Sequence, residues 1–172
     1  MILLALAAAS LAPQPAQGDR LPYAPIVSVS YVRVNAAGAV SCAMLVNGVA
    51  QGASDCAFAA RAPEGLRRLG HEAVLTMLFA VTPDGRAAPT GIEAGELIVE
   101  GRARLEIARD GSIARCQSRV ERVIREVAGV QRPPDFCALY PVGQRAFAPA
   151  RGSDPRAVEI SALVFLREGP QR

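Results

Sequence analysis

The stretch VSVSYVRVNAAGAVSC, residues 27–42, and the stretch RARLEIARDGSIARC, residues 102–116, decide the fold because they are two versions of one pattern. Each begins with an alternating apolar run, passes through a tight turn and returns to a cysteine. A second cysteine follows each stretch, at Cys56 and at Cys137. Alternation with a period of two indicates a half-buried strand, so each stretch predicts a β-hairpin. The chain is expected to contain two related units.

The two hairpins differ in spacing by one residue. Gly38 precedes Cys42 by four residues, whereas Gly111 precedes Cys116 by five. A one-residue shift turns a strand side chain to the opposite face of a sheet. One hairpin is therefore expected to have a different turn length or a β-bulge.

The four cysteines of this 172-residue chain indicate disulfides. Four cysteines allow three connectivities, and the duplication selects Cys42 with Cys56 and Cys116 with Cys137. In the chain-entropy model each bridge stabilises the fold by about 3 kcal/mol. A zinc site made of four thiolates and a redox-active pair are the alternatives. Both suit the spacing poorly, because the sequence contains no CxxC motif, so no metal and no cofactor is predicted.

The first residues, MILLALAAASLA, have the length of a signal-peptide core and are too short for a membrane span of about 20 residues. We interpret residues 1–18 as a signal peptide, with the mature chain beginning near Asp19. An uncleaved membrane tether and a buried N-terminal helix are the alternatives. Export agrees with the cysteines, because disulfides persist in oxidising compartments. The expected location is the periplasm of a Gram-negative envelope, with no membrane span in the mature chain.

The chain divides into a first unit at residues 19–85, a linker at 86–97 and a second unit at 98–172. Both units close with an apolar strand, and Val74 of the first aligns with Val158 of the second. The linker mixes proline, glycine and polar residues. In the second unit, the stretch RVERVIREVAGV, residues 119–130, predicts a strand to about Val120 followed by a short helix.

Charge and motifs exclude several functions. All 19 basic residues are arginine, against 16 acidic residues, and they are scattered without the clustered basic face that nucleic-acid binding requires. His71 is the only histidine and is expected to be a surface or capping residue. The GxSxG, GxGxxG and GxxxxGK motifs are absent, so no catalytic residue is predicted.

A possible binding site is a set of arginines that recur every three or four residues. They would form a basic stripe on a helix, suited to an acidic peptide or a lipid headgroup. The alternative is an exposed face balanced by Glu121 and Glu126, with little net effect. The four arginines are Arg115, Arg119, Arg122 and Arg125.

The second unit resembles the C-terminal domain of TonB-family periplasmic proteins. The resemblance lies in RLEIARDGSIARC (104–116), Cys137, RAFAPAR (145–151) and AVEISALVF (157–165). The first unit is similar to a more divergent copy, through YVRVNAAGAVSC (31–42), Asn47-Gly48, Cys56 and EAVLTMLFAV (72–81).

This resemblance implies an α+β fold, with two tandem units that each have an antiparallel sheet of about three strands and a packed helix. It also implies a non-enzymatic protein that binds an envelope protein or peptide, often by pairing a peptide with a sheet edge. Two other functions stay open from the sequence. One is an exported enzyme or inhibitor on a duplicated scaffold. The other is a structural envelope protein whose two units pack face to face.

Overall fold

Apolar, β-branched runs form the strands of this protein, which a computed structural model describes over residues 21, 24–52, 64–83, 95–152, 154 and 156–169. Those residues form one antiparallel sheet of seven strands in the order β3-β2-β1-β4-β7-β5-β6. The strands are β1 (Ile26–Val34), β2 (Val40–Val46), β3 (Val49–Ala50), β4 (Ala73–Pro83), β5 (Glu96–Ile107), β6 (Ile113–Val123) and β7 (Ala157–Glu168). The helices within the same described residues are α1 (Glu64–Arg68) and α2 (Phe136–Leu139).

The closing strands of the two units pair with each other. β4 and β7 are antiparallel neighbours from Ala73 opposite Glu168 to Pro83 opposite Val158. Every residue of β4 except Met77 is buried, and a strand that is apolar on both faces is stable only with a neighbour on each side and cover on each face. The two units are thus two halves of one sheet, joined edge to edge and not face to face.

The expected α+β fold with two separate units is therefore wrong. The described helices have only five and four residues, and a single sheet crosses both units. The predicted linker also ends too late, because Glu96 and Leu97 already belong to β5. Most of that linker, together with the predicted signal peptide, lies outside the described residues.

The helix expected after Val120 is also wrong, since β6 continues to Val123. Val120 lies opposite Arg102 on β5, and Val123 lies opposite Val99. The β-branched residues that fitted a helix face equally well fit a strand. Bends and turns, with no helix, occupy residues 124–130.

The strand register relates the two halves residue by residue. In the first half Val32 lies between Cys42 and Leu75, and in the second half Leu105 lies between Cys116 and Val158. The cysteines are therefore equivalent, as the repeat predicts. In the closing strands, Leu75 of the first half is equivalent to Val158 of the second half. The alignment of Val74 with Val158 from the sequence is therefore wrong by one residue.

A β-bulge explains the one-residue difference between the hairpins. Val34 pairs with Val40, and Ile107 pairs with Ile113, so the two loops have equal lengths. Glu106 then pairs with Arg115, which leaves Ala114 as an extra residue on β6. Of the two expected explanations, a β-bulge is confirmed and a different turn length is not found.

Both helices pack on the same face of the sheet, called the helix face below. One apolar cluster there contains Phe136 of α2 and Phe147, and a second contains Leu66 of α1 beside Leu75. All four side chains are at most 1% exposed. This core spans both halves of the sheet.

The opposite face, called the second face below, has two parts. Over β1 and β4 it is apolar, with Val27, Val29, Leu78 and Ala80 in one buried cluster. Over β5, β6 and part of β7 it is polar. Cross-strand partners share a face, so the register places the polar side chains of this part, the charged strip, on the second face. The charged strip consists of Glu100, Arg102, Arg104, Glu106, Arg115, Gln117, Arg122 and Glu159.

We expect the two halves to unfold together, because they share a sheet and a core. Leu75→Ala should lower the free energy of unfolding by about 2–5 kcal/mol, the usual cost of a buried Leu-to-Ala change. Amide hydrogen exchange should show the same loss of protection in β5, in the other half, as in β1. Val49→Ala is the control, because Val49 is 64% exposed. Unchanged protection of β5 in Leu75→Ala would show that the halves unfold independently.

Candidate functional site

The outer edge of β6 is the candidate functional site. β6 is the terminal strand of the sheet and has eleven residues. Its first residue, Ile113, donates an N–H to Gln144 O and accepts from Gly143 N–H, at 2.9 and 2.8 Å. Beyond Ile113, the described residues provide no backbone partner on this side of the strand. At the other edge, by contrast, β3 pairs with β2 at Leu45 and Val46.

The direction of the backbone groups follows from the ladder. Ile107 N–H donates to Arg156 O on the β7 side, and Ile98 O accepts from Ile124 N–H on the β6 side. Directions alternate along an antiparallel strand, so from Ile98 to Ile107 the even-numbered β5 residues bond to β6 and the odd-numbered ones to β7. The β6 residues that lie opposite odd-numbered β5 residues therefore direct their N–H and C=O groups outward, away from the sheet. On β6 these outward residues are Cys116, Ser118, Glu121 and Val123.

Two bulges divide the edge. Ala114 is the extra residue of the first, and Arg119 is the extra residue of the second, between Ser118 and Val120. The stretches between and beyond them, 115–118 and 120–123, are in regular register with β5. Bulges and charged side chains are features that keep an edge strand from pairing indiscriminately.

A disulfide fixes α2 beside this edge. Cys116 and Cys137 are bonded, with their Cα atoms 5.5 Å apart, which confirms the predicted pairing. The Asp135 carboxylate caps α2 by accepting from the backbone N–H groups of Cys137 and Ala138. Cys42 is also disulfide-bonded, and its predicted partner, Cys56, lies outside the described residues.

The exposed large apolar side chains of the described residues lie at the sheet edges. Leu139 is two residues from Cys137 on α2, and Val142 precedes the glycine that bonds to Ile113. Ile124 follows the last residue of β6, and Val49 lies on β3, at the opposite edge. Three of these four side chains therefore flank β6. Exposed apolar groups beside an unpaired edge favour an interaction surface.

The predicted arginine stripe lies along β6 and just beyond it, not on a helix. Three of its four arginines have carboxylate partners, namely Arg115, Arg125 and, as described below, Arg122. Arg115 lies 3.9 Å from Glu106, and Arg125 forms ion pairs with Glu96 and Glu168 at 3.0 and 2.7 Å. The two bonds to Arg125 raise its pKa further. The alternative to a basic stripe was a face whose arginines are balanced by carboxylates. These three arginines are balanced in that way, although their partners are not the expected Glu121 and Glu126.

Arg122 binds the most buried charge of the site. It donates to Glu100 Oε2 at 2.8 Å, while Arg102 donates to Glu100 Oε1 at 2.8 Å and lies 3.3 Å from Glu159. Burial by itself would raise the pKa of Glu100, but the hydrogen bonds and positive charges of Arg122 and Arg102 outweigh it. They hold this pKa below its ordinary value of 4.5.

Glu100 and Arg102 were not identified from the sequence. The signal is present in EGRARLE, residues 100–106, where every second residue is charged. Period two places these side chains on one face of a strand. The apolar residues between them predict a strand with one buried face. That prediction drew attention to the helix face and away from the charged residues on the second face.

The remaining arginine of the stripe, Arg119, is exposed and has no ion pair within the described residues. Arg104, on the charged strip, has the same status. Its register partners are Gln117 on β6 and Glu159 on β7, and Glu159 is bound to Arg102. Two arginines at or beside the edge are therefore available to a ligand.

His71 takes no part in this site. Its Nδ1–H donates to Leu69 O at 2.8 Å, and its buried Nε2 has no hydrogen-bond partner among the residues that the structure describes. The nearby Glu72 lies 3.8 Å from Arg33. Across the described ranges, no three His, Cys, Asp or Glu side chains are grouped as metal ligands would be. Nor is any helix within those ranges long and apolar enough to cross a bilayer.

Comparisons with known proteins found no matching family model, no matching curated protein and no matching solved structure. The resemblance to the TonB C-terminal domain stays a prediction.

Acid should remove the stabilisation that Glu100 provides. Because the pKa of Glu100 is lowered in the fold, this contribution is complete above about pH 4.5 and is lost as the pH falls through the folded-state pKa. At pH 7, Glu100→Gln should lower the free energy of unfolding by about 1–3 kcal/mol, since both arginines are partly exposed. The difference from wild type should shrink on acidification, as measured by denaturant unfolding from pH 7 to pH 3.

Glu121→Gln is the matched control for this experiment. Glu121 is an exposed glutamate on the same edge, and it accepts a hydrogen bond from Ser118 Oγ. Its replacement should leave the pH dependence parallel to that of the wild type. A difference between Glu100→Gln and wild type that does not change with pH would contradict the assigned role of the Glu100 carboxylate.

Proposed function

We propose that this protein is a non-enzymatic interaction module of the periplasm that binds an extended segment of an envelope protein along the outer edge of β6. The observation that carries this proposal is the row of outward N–H and C=O groups between Cys116 and Val123. These groups have no backbone partner within the described residues. An extended peptide satisfies such groups by adding a strand to the sheet.

Two further observations support the proposal. Leu139, Val142 and Ile124 flank the edge with exposed apolar surface, which a bound segment would cover. The Cys116–Cys137 disulfide fixes α2, which carries Leu139, beside the first half of β6, so less conformational entropy is lost when a ligand binds there. A disulfide also suits an oxidising compartment such as the periplasm.

The bulges limit how a partner binds. Residues 115–118 and 120–123 are the two regular stretches of the edge, so a partner strand pairs with about four residues of β6 at a time. Short pairing of this kind gives a weak, reversible complex. Selectivity then depends on side chains, because backbone bonds alone do not distinguish one extended segment from another.

The proposal predicts that a proline at position 118 abolishes binding without unfolding the protein. Ser118 N–H points outward and takes no part in the ladder with β5, so Ser118→Pro removes a donor only from the partner. Ser118→Ala is the matched control, because it removes the hydroxyl that bonds to Glu121 but keeps the N–H. Circular dichroism and thermal unfolding check that both variants fold.

Binding is measured in living cells by placing a photo-crosslinking residue at position 117, on the β6 edge. The same residue at position 36, in the exposed loop between β1 and β2, is the background control. We expect a defined crosslinked species from position 117 that persists in Ser118→Ala and disappears in Ser118→Pro. An identical crosslink in all three proteins would contradict binding at the β6 edge.

A further inference from the structure

The charged strip carries more positive than negative charge beside the β6 edge. Together with the bulge residue Arg119, it contains five arginines and three glutamates. The glutamates are occupied, since Glu100 and Glu159 bind Arg102 and Glu106 lies near Arg115. Arg104 and Arg119 are left without a carboxylate within the described residues. The excess positive charge thus lies at the place where a partner strand would add.

A strand added to β6 presents alternate side chains to the two faces of the sheet. Side chains on the second face lie next to Arg115, Gln117 and Arg122 of β6 and within reach of the long side chain of Arg104. Carboxylates there pair with Arg104, and the exposed Arg119 at the bulge adds positive charge to the same edge, whereas basic side chains are repelled. The second face of a partner strand is therefore expected to be acidic.

The helix face of the same edge is apolar where β6 begins, and further along it bears Ser118 and Glu121. The Cys116–Cys137 disulfide lies there, with Leu139 39% exposed nearby, and Val142, 65% exposed, is beside the start of β6. An apolar side chain on the partner strand would cover these groups. The two faces therefore call for different residues in alternation.

We propose that the ligand of the β6 edge is an extended peptide segment in which acidic and apolar residues alternate. This inference rests on the proposed function, because it assumes strand addition to β6. The acidic residues pair with Arg104 on the second face and with Arg119 at the bulge, and the apolar residues cover Leu139 and Val142. A second copy of this protein is disfavoured as the occupant, because its own β6 brings the same excess of arginine.

The test uses three nine-residue fluorescent peptides in which valine alternates with Glu, with Gln or with Lys. Fluorescence anisotropy with the folded protein should give the tightest binding for the Glu peptide and the weakest for the Lys peptide. Added salt should weaken the Glu complex most. Arg104→Gln and Arg119→Gln should each weaken Glu-peptide binding by about two- to fivefold, as expected for exposed ion pairs. Arg104→Lys and Arg119→Lys should retain most of the affinity.

Arg109→Gln is the matched control, because Arg109 is an exposed arginine in the β5–β6 loop, outside the charged strip. It should not change the order of the three peptides. The double variant Arg104→Glu, Arg119→Glu should reverse the order, so that the Lys peptide binds better than the Glu peptide.

The outcomes separate the two proposals. If all three peptides bind equally and Ser118→Pro abolishes binding, strand addition stands and acidic selectivity is overturned. If no peptide binds, or if Ser118→Pro binds as well as Ser118→Ala, strand addition is overturned as well. Binding to vesicles with 30% phosphatidylglycerol in preference to the Glu peptide, or dimerisation that Ser118→Pro abolishes, would overturn the peptide assignment in favour of a lipid surface or a second copy.

Discussion

The antiparallel pairing of β4 with β7 is the constraint on which the rest of the structure depends. Each closing strand offers apolar side chains to both faces, and the pairing supplies each with a neighbour along its length. It uses the inner edge of each half, so only two edges remain in the sheet. One ends in the short strand β3, and the other is the full length of β6. The same pairing that merges the halves therefore leaves β6 at an edge of the sheet, where we propose that an extended ligand binds.

The charges around β6 serve two purposes. Arg122 and Arg102 compensate the buried Glu100 carboxylate, which would otherwise be costly on a sheet face. Arg104 and Arg119 are not used in this way, and they give the edge its excess positive charge. Arginines and bulges also protect an unpaired edge from indiscriminate pairing. An edge of this kind disfavours its own copies and favours a strand with complementary charge.

Local patterns predicted part of this structure. The hairpins and the equivalence of the two cysteine positions followed from alternation, and a one-residue count reduced the difference between the hairpins to a turn length or a bulge, because both signals act over a few residues. The pairing of β4 with β7 did not follow, because contact between residues 85 positions apart, such as Leu78 and Leu163, leaves no local periodicity. The helix expected after Val120 failed because valine and isoleucine at that spacing also suit a strand. The arginine stripe was predicted, but Glu100 was missed. In residues 100–106 only the apolar positions were used to predict a strand, and the alternate charged positions were not considered.

Residue-resolved amide exchange of β6, measured by NMR in the free protein and with the alternating Glu peptide, tests the open edge most directly. In the free protein we expect fast exchange at the outward amides of Ser118 and Glu121 and slow exchange at the inward amides of Gln117 and Arg122. The peptide should slow the outward amides and leave the inward ones unchanged. Uniformly slow exchange of all four amides in the free protein would show that the edge is already covered, and would contradict an open β6 edge.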